Sequence, residues 1–167
     1  MKFIALDLST KSSGWAIFED KELLEYGCVT ASSNNLLARI DKITKEIEEL
    51  LKTKGIQKVV LEEVRPEGSS GNIATHRALM WLQGSIAMAC HRSKLKKDDM
   101  ILYYPSTWRK ECGIVNGRGV KRQAVKKADI EFANKQFGLE LTNDDIADAI
   151  CIGHAYFKKE LNVLNWG

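Results

Sequence analysis

The spacing of hydrophobic positions changes several times along the chain, and each change marks an element. Phe3 to Leu8 is a nearly continuous apolar run, and a second, Trp15 to Phe18, follows the polar turn Ser9-Thr10-Lys11-Ser12-Ser13-Gly14. The two read as a hairpin. Leu23 to Thr30 is a third strand after the charged turn Glu19 to Glu22, and three strands in succession suggest an antiparallel meander. The period then lengthens: Leu36, Leu37, Ile40, Ile43, Ile47, Leu50 and Leu51 follow Ser33-Asn34, and Gly55 stands where a helix should stop. That is an amphipathic helix. Val59 to Val64 returns to β-branched residues, contains the acids Glu62 and Glu63, and runs into a loop signalled by Pro66 and Gly68-Ser69-Ser70-Gly71.

From Ile73 to Cys90 a helix is predicted that is apolar on more faces than one stripe requires, so it is buried on two sides or lies at an interface. Met100 to Tyr104 is a short fifth strand stopped by Pro105. Val120 to Phe137 and Thr142 to about Leu161 read as two closing helices. The expected order is β-β-β-α-β-α-β-α-α, an α/β fold without repeats or low-complexity tracts.

Composition narrows the class. A length of 167 residues suits one domain, spanning 1–167, and 44% hydrophobic with 28% charged residues describes a folded globule. Cys28, Cys90, Cys112 and Cys151 lie far apart without a Cys-x-x-Cys pair, which supports neither a disulfide framework nor a zinc ribbon. His76, His91 and His154 fit no metal motif. No apolar run reaches a membrane-spanning length and no signal-peptide pattern opens the chain, so the expectation is a cytoplasmic protein with no membrane partner.

Charge is unevenly placed. Between residues 109 and 127, Arg109, Lys110, Arg118, Lys121, Arg122, Lys126 and Lys127 face one acid, Glu111, a local +6 that exceeds the +3 of the whole chain. The remainder is therefore slightly acidic. Such a run is a solvated helix face or a grip on a polyanion. Gly117 and Gly119 favour a loop able to lay guanidinium groups along a phosphate backbone.

Acids occupy unusual positions. Asp7 sits between Leu6 and Leu8 near the end of an apolar strand, where an unpaired carboxylate is costly; it needs a partner, a metal or solvent, or else it shapes the Ser9-Thr10 turn. Glu62 and Glu63 point to opposite faces of their strand, so only one can share a face with Asp7. Asp144 and Asp145 suit the first turn of a helix, while Asp148 lies one turn further in and shares a face with Asp145. Carboxylates gathered together raise one another's pKa, and a divalent cation relieves the repulsion. Oxygen-only ligands suit Mg²⁺ or Mn²⁺, and two such ions about 3.5–4 Å apart can activate a water and stabilise the leaving oxygen in phosphodiester cleavage.

These segments, Ile4-Ala5-Leu6-Asp7-Leu8-Ser9 with Ser13-Gly14-Trp15-Ala16, Leu61-Glu62-Glu63-Val64, and Asp145-Ile146-Ala147-Asp148-Ala149, resemble in order and separation the RuvC family of Holliday junction resolvases. That family lies in the ribonuclease H-like superfamily, and the compact phage-type members look most similar. The resemblance implies a mixed five-stranded sheet with helices on both faces, the first and fourth strands adjacent and parallel. It also implies a Mg²⁺-dependent endonuclease that acts on four-way, branched DNA as a homodimer. It makes Asp7, Glu62, Asp145 and Asp148 the metal-binding and catalytic acids, with Asp144 a rival to Asp145. Arg109 and Lys121 match the family's basic positions best, and Lys110, Arg118 and Arg122 extend that DNA-binding segment. The Ile73 to Cys90 helix matches the dimer helix.

Two departures stand out. Arg65-Pro66-Glu67 replaces the aromatic wedge of the bacterial members, which points to broader action on branched DNA, and the Ser9-Thr10-Lys11 turn replaces a proline-glycine form. Two other readings remain: a phosphotransferase domain of the actin-like sugar-kinase type, which would need a second such domain, and a non-catalytic binder of branched DNA.

Overall fold

The computed structural model describes residues 1–64 and 72–164, the side chains of 161–164 excepted. The Arg65-Pro66-Glu67 departure and the loop glycines after it lie outside the described residues. Ten elements follow in order: β1 (Lys2–Asp7), β2 (Ser12–Glu19), β3 (Glu22–Thr30), α1 (Leu36–Thr53), β4 (Lys58–Glu62), α2 (Ile73–Arg92), β5 (Met100–Tyr103), α3 (Pro105–Glu111), α4 (Arg122–Phe137) and α5 (Asp144–Leu164). A 3₁₀ turn, Lys97–Asp99, leads into β5.

The strands form one mixed sheet in the order β3-β2-β1-β4-β5. β1, β2 and β3 make the antiparallel meander, and β4 lies parallel to β1 and to β5. β1 and β4 are apolar without alternation because both faces of the sheet are covered. Ile4, Leu6, Val59 and Leu61 pack with Ile43 and Ile47 of α1 and Leu82 and Ile86 of α2. Phe3, Ala5, Val60 and Phe18 face Trp108 of α3 and Ile150, Ile152 and Tyr156 of α5. The fold class expected from the sequence is the one observed. Among the described residues no helix is long and apolar enough to cross a membrane.

Local chemistry sets the helix ends. Asn35 caps α1, its side chain accepting from the backbone N–H groups of Leu37 (2.9 Å) and Ala38 (3.3 Å). Asn143 accepts from the Ile146 N–H at 3.0 Å at the start of α5. Gly138 ends α4 with φ +66°, the left-handed cap that glycine adopts without strain. The sequence pattern missed α3. Pro105 does stop β5, but it also occupies the first position of a seven-residue helix, where its missing N–H costs nothing.

Only one side of α2 is buried among the described residues: Leu82, Ile86, Ala89 and Cys90 face inward, while Met80, Trp81 and Met88 are exposed. α5 meets β2 without room to spare. A Cβ at Gly14 would collide with the backbone carbonyl of Asp145, and one at Gly153 would enter the Phe18 ring. Gly14 thus lets the first turn of α5 descend onto the sheet beside β1.

Gly14→Ala should therefore push α5 off β2 at a cost of about 1–3 kcal/mol. In thermal unfolding this appears as a midpoint lowered by about 2–4 °C per kcal/mol; an unchanged midpoint would contradict the packing argument.

Candidate active site

Register decides which acids meet. Leu6 pairs with Leu61 across the parallel β1–β4 ladder, so Asp7 and Glu62 leave the sheet side by side. Asp7 continues the face of Phe3 and Ala5, and Glu62 that of Val60, the face covered by α5. Glu63 comes one residue later, where its N–H donates to the Tyr103 carbonyl at 2.9 Å. Above this sheet edge the first turns of α5 supply Asp145 and Asp148. A cavity of about 830 Å³ opens there, lined by Asp7, Glu62, Asp145 and Asp148 together with Arg109 and Lys126. Asp144 turns away and is ion-paired with Lys126.

Each acid except Asp7 is held by a named group. The Ser12 hydroxyl donates to Asp145 Oδ2 at 2.5 Å. That hydroxyl has one proton, so the Cys28 thiol, 3.0 Å from Ser12 Oγ, is the donor to it. Trp108 Nε1–H donates to Glu62 Oε2 at 2.8 Å. Asp148 lies 3.8 Å from Lys126 Nζ and 3.9 Å from Arg109 Nη2. The Asp7 carboxylate makes no hydrogen bond to a described residue. It does not shape the turn after it, which Ser13 ties instead by accepting from the Ser9 N–H (3.0 Å) and donating to the Ser9 carbonyl (2.7 Å).

Two cations counter the acids. Arg109 Nη2 donates to Asp129 Oδ2 at 2.9 Å, and its guanidinium lies 4.1 Å from the Trp108 ring centroid. Asp129 is fully buried in α4 and has Arg109 as its counter-ion. Lys126 is half-buried; burial opposes its charge, but the Asp144, Asp148 and Asp7 carboxylates outweigh that and hold the proton on. The same Lys126 ammonium keeps Asp144 below its ordinary carboxylate value.

Even so the cluster remains uncomfortable. Burial, then the charges of Glu62 and Asp145, push Asp7 well above the usual carboxylate range. Asp148 is pushed up by burial and then by Asp7. Burial also raises Glu62, against the Trp108 hydrogen bond. Asp148 Oδ1 is buried without a hydrogen-bond partner. No three His, Cys, Asp or Glu side chains among the described residues are placed so as to hold an ion between them as they stand. The donor chemistry nevertheless fits a hard divalent cation: four carboxylates on one cavity, one with an orphaned oxygen, and no sulfur or imidazole among the described residues of its wall.

The basic segment divides in the structure. Arg109 and Lys126 turn into the carboxylate cavity, Lys127 lies 3.7 Å from Glu131, and Lys110, Arg118, Lys121 and Arg122 are exposed and make no ion pair among the described residues. Arg122 lines the cavity beside Asn116, while Lys110, Arg118 and Lys121 stand outside it. Gly117 (φ +144°) and Gly119 (φ +85°) carry the loop between α3 and α4 through conformations other residues resist. Sequence reasoning missed Ser12, Trp108, Lys126 and Asp129 as parts of the site. Only the +6 run pointed near Lys126; nothing local marks the others.

No protein-family model and no curated protein matches this sequence. Among solved structures, the chain is similar to RuvC of Thermus thermophilus in complex with a Holliday junction substrate, with a TM-score of 0.76, 16% identity, and 96% of each chain covered. A second structure of Thermus thermophilus RuvC gives a TM-score of 0.74 at 16% identity, with 97% of each chain covered. The yeast mitochondrial Holliday junction resolvase Ydc2 gives 0.59 at 12% identity, with 98% of this chain and 82% of that one covered. The fold is RuvC-like.

The raised acids set the stability of the metal-free protein against pH. Below its ordinary carboxylate value Asp7 is protonated folded or unfolded. Above it the unfolded chain gives up a proton that the folded chain retains, so stability falls as pH rises. His154 acts the other way: burial and then Lys158 lower it to about 4, so its contribution grows with pH and is complete by about pH 7. In EDTA, from about pH 7 to 8, the urea midpoint of the wild type should therefore fall, and more steeply than that of Asp7→Asn. Parallel profiles would contradict the assignment.

Proposed function

We propose that this chain, one RuvC-like domain over residues 1–167, is a divalent-metal-dependent, structure-selective endonuclease. It would resolve Holliday junctions and other branched DNA by paired nicks, as a cytoplasmic homodimer. The observation that carries this reading is the convergence of Asp7, Glu62, Asp145 and Asp148, from three separate stretches of sequence, on one cavity whose rim is basic. The RuvC-like fold supports it, since two of the similar proteins are described as Holliday junction resolvases or bound to a junction.

In this reading the four acids hold Mg²⁺ or Mn²⁺. The ion, once bound, supplies positive charge to the scissile phosphate and lowers the pKa of the attacking water. The protein's own groups prepare the place. Ser12 fixes the orientation of Asp145, and Trp108 fixes that of Glu62. Asp129 holds the Arg109 guanidinium at the cavity wall, where it meets a phosphate without first having to be ordered. Lys126 keeps the acid cluster foldable before a cation arrives. Lys110, Arg118, Lys121 and Arg122 then carry the wider, sequence-independent attraction to the DNA backbone.

The exposed side of α2 supports the dimer. Met80, Gly84 and Met88 recur every fourth residue on its exposed side, with Trp81 beside them, and a Cβ at Gly84 would meet nothing within 4 Å. An apolar stripe with a gap at its centre suits close approach of a second α2, and two copies would bring one site to each of two junction strands.

The test is incubation with a synthetic four-way junction and a matched linear duplex, with and without Mg²⁺. Metal-dependent paired nicks in the junction alone are expected. Asp7→Asn should abolish cleavage yet bind the junction normally, because it loses a metal ligand and not a phosphate contact. Full activity of Asp7→Asn, or equal cutting of the duplex, would sink the proposal.

A further inference from the structure

The carboxylate cavity has a second wall that the basic segment does not supply. Besides Arg109, Arg122 and Lys126, from α3 and α4 on one face of the sheet, it is lined by Lys11, from the β1–β2 turn, and by Arg39, from the first turn of α1 on the other face. Neither makes an ion pair with any described residue, and nor does Arg122, whereas Arg109 and Lys126 are both engaged by carboxylates.

Arg39 is nonetheless held in place. Its Nε–H donates to the Thr10 carbonyl at 3.0 Å and its Nη1–H to the Ser33 carbonyl at 2.7 Å. Both partners are neutral backbone oxygens, so the guanidinium is positioned while its charge stays uncompensated. Nη2 has no hydrogen-bond partner among the described residues. A pinned, half-buried guanidinium with free donors beside an exposed ammonium matches a phosphodiester oxygen pair, and little side-chain entropy is lost when it binds.

We infer that Lys11 and Arg39 form a phosphate-binding wall that grips the cleaved strand on the side of the acid cluster away from the basic segment. The strand backbone runs between the two walls, with the acids on the floor at the bond to be cut. A cavity of about 830 Å³ is of the size that encloses a compact ligand, so it admits a few nucleotides of one strand and not a duplex. This assignment rests on the endonuclease reading and adds two contacts that the charge distribution along the sequence does not suggest, because Lys11 stands alone in its turn and Arg39 lies in a helix whose basic residues are matched by acids.

The test is junction binding followed by fluorescence anisotropy in EDTA, so that no cleavage intervenes, over a series of salt concentrations. Arg39→Gln removes the charge and keeps donors for the Thr10 and Ser33 carbonyls; Lys11→Ala removes a charge that braces nothing. Each should weaken binding several-fold and lower the salt slope by about one. Lys21→Ala, an exposed lysine at the far end of the β2 hairpin, should change neither. Unchanged slopes in Arg39→Gln and Lys11→Ala, with a salt-dependent wild type, would overturn this wall and leave the endonuclease reading standing. A wild type that binds no junction would overturn both. Should Arg39→Gln melt abnormally by circular dichroism, Lys11→Ala decides the matter alone.

Discussion

Four carboxylates crowded at one edge of a sheet are the constraint around which the rest of the molecule is arranged. Left to themselves Asp7, Glu62, Asp145 and Asp148 repel one another, and their partial burial makes ionisation costly. An apolar residue at any of these places would be easier to fold. The protein keeps the acids and supplies counter-charges, Arg109 and Lys126, neither of which removes the strain completely: Asp148 retains an orphaned oxygen and the Asp7 carboxylate has no hydrogen bond to a described residue. Strain of this kind, held in place by surrounding structure, is the physical ground for proposing a cation there.

Much of the architecture serves to hold that edge. Parallel pairing of β1 with β4 makes two acid-bearing strand ends coincide, and burial of both sheet faces keeps them rigid. Gly14 and Gly153 let α5 lie flat on β2, which delivers Asp145 and Asp148 over the Asp7 carboxylate. Trp108 then ties the short α3 to Glu62 and at the same time forms the surface on which Arg109 rests. A second tier, Ser12 with Cys28 and Asp129 with Arg109, orients groups that themselves face the cavity. The cavity lies between walls of unequal character. One side carries Arg109 and Lys126, both engaged by acids, beside Arg122, while Lys11 and Arg39 on the other make no ion pair among the described residues.

The fold was legible because burial on two faces writes itself plainly. The unbroken apolar run of β1 and the three-to-four period of α1 leave few alternatives, and both elements are found where they were expected. α3 was not legible, since seven residues with a single buried aromatic carry no period. The acids could be picked out by their odd settings. The residue pattern alone left Glu62 and Glu63 open and only the resemblance named Glu62; strand register puts Glu62 beside Asp7, and the separate orientations of Asp144 and Asp145 appear only with the helix in place. The supporting residues were silent for a physical reason. Ser12 and Asp129 are ordinary polar residues in sequence, and what distinguishes them is a partner 133 or 20 positions away. Summed charge found the +6 segment, but not its division into cations that neutralise acids and cations that stay free.

The central claim is that the acid cluster is a cation site held, before the cation comes, partly in its protonated form. Calorimetric titration of the metal-free protein with Mg²⁺ near neutral pH, repeated in buffers of different ionisation enthalpy, tests this most directly. Saturable binding with proton release, lost in Asp7→Asn, is the predicted result. No saturable binding, or identical binding by Asp7→Asn, would contradict it.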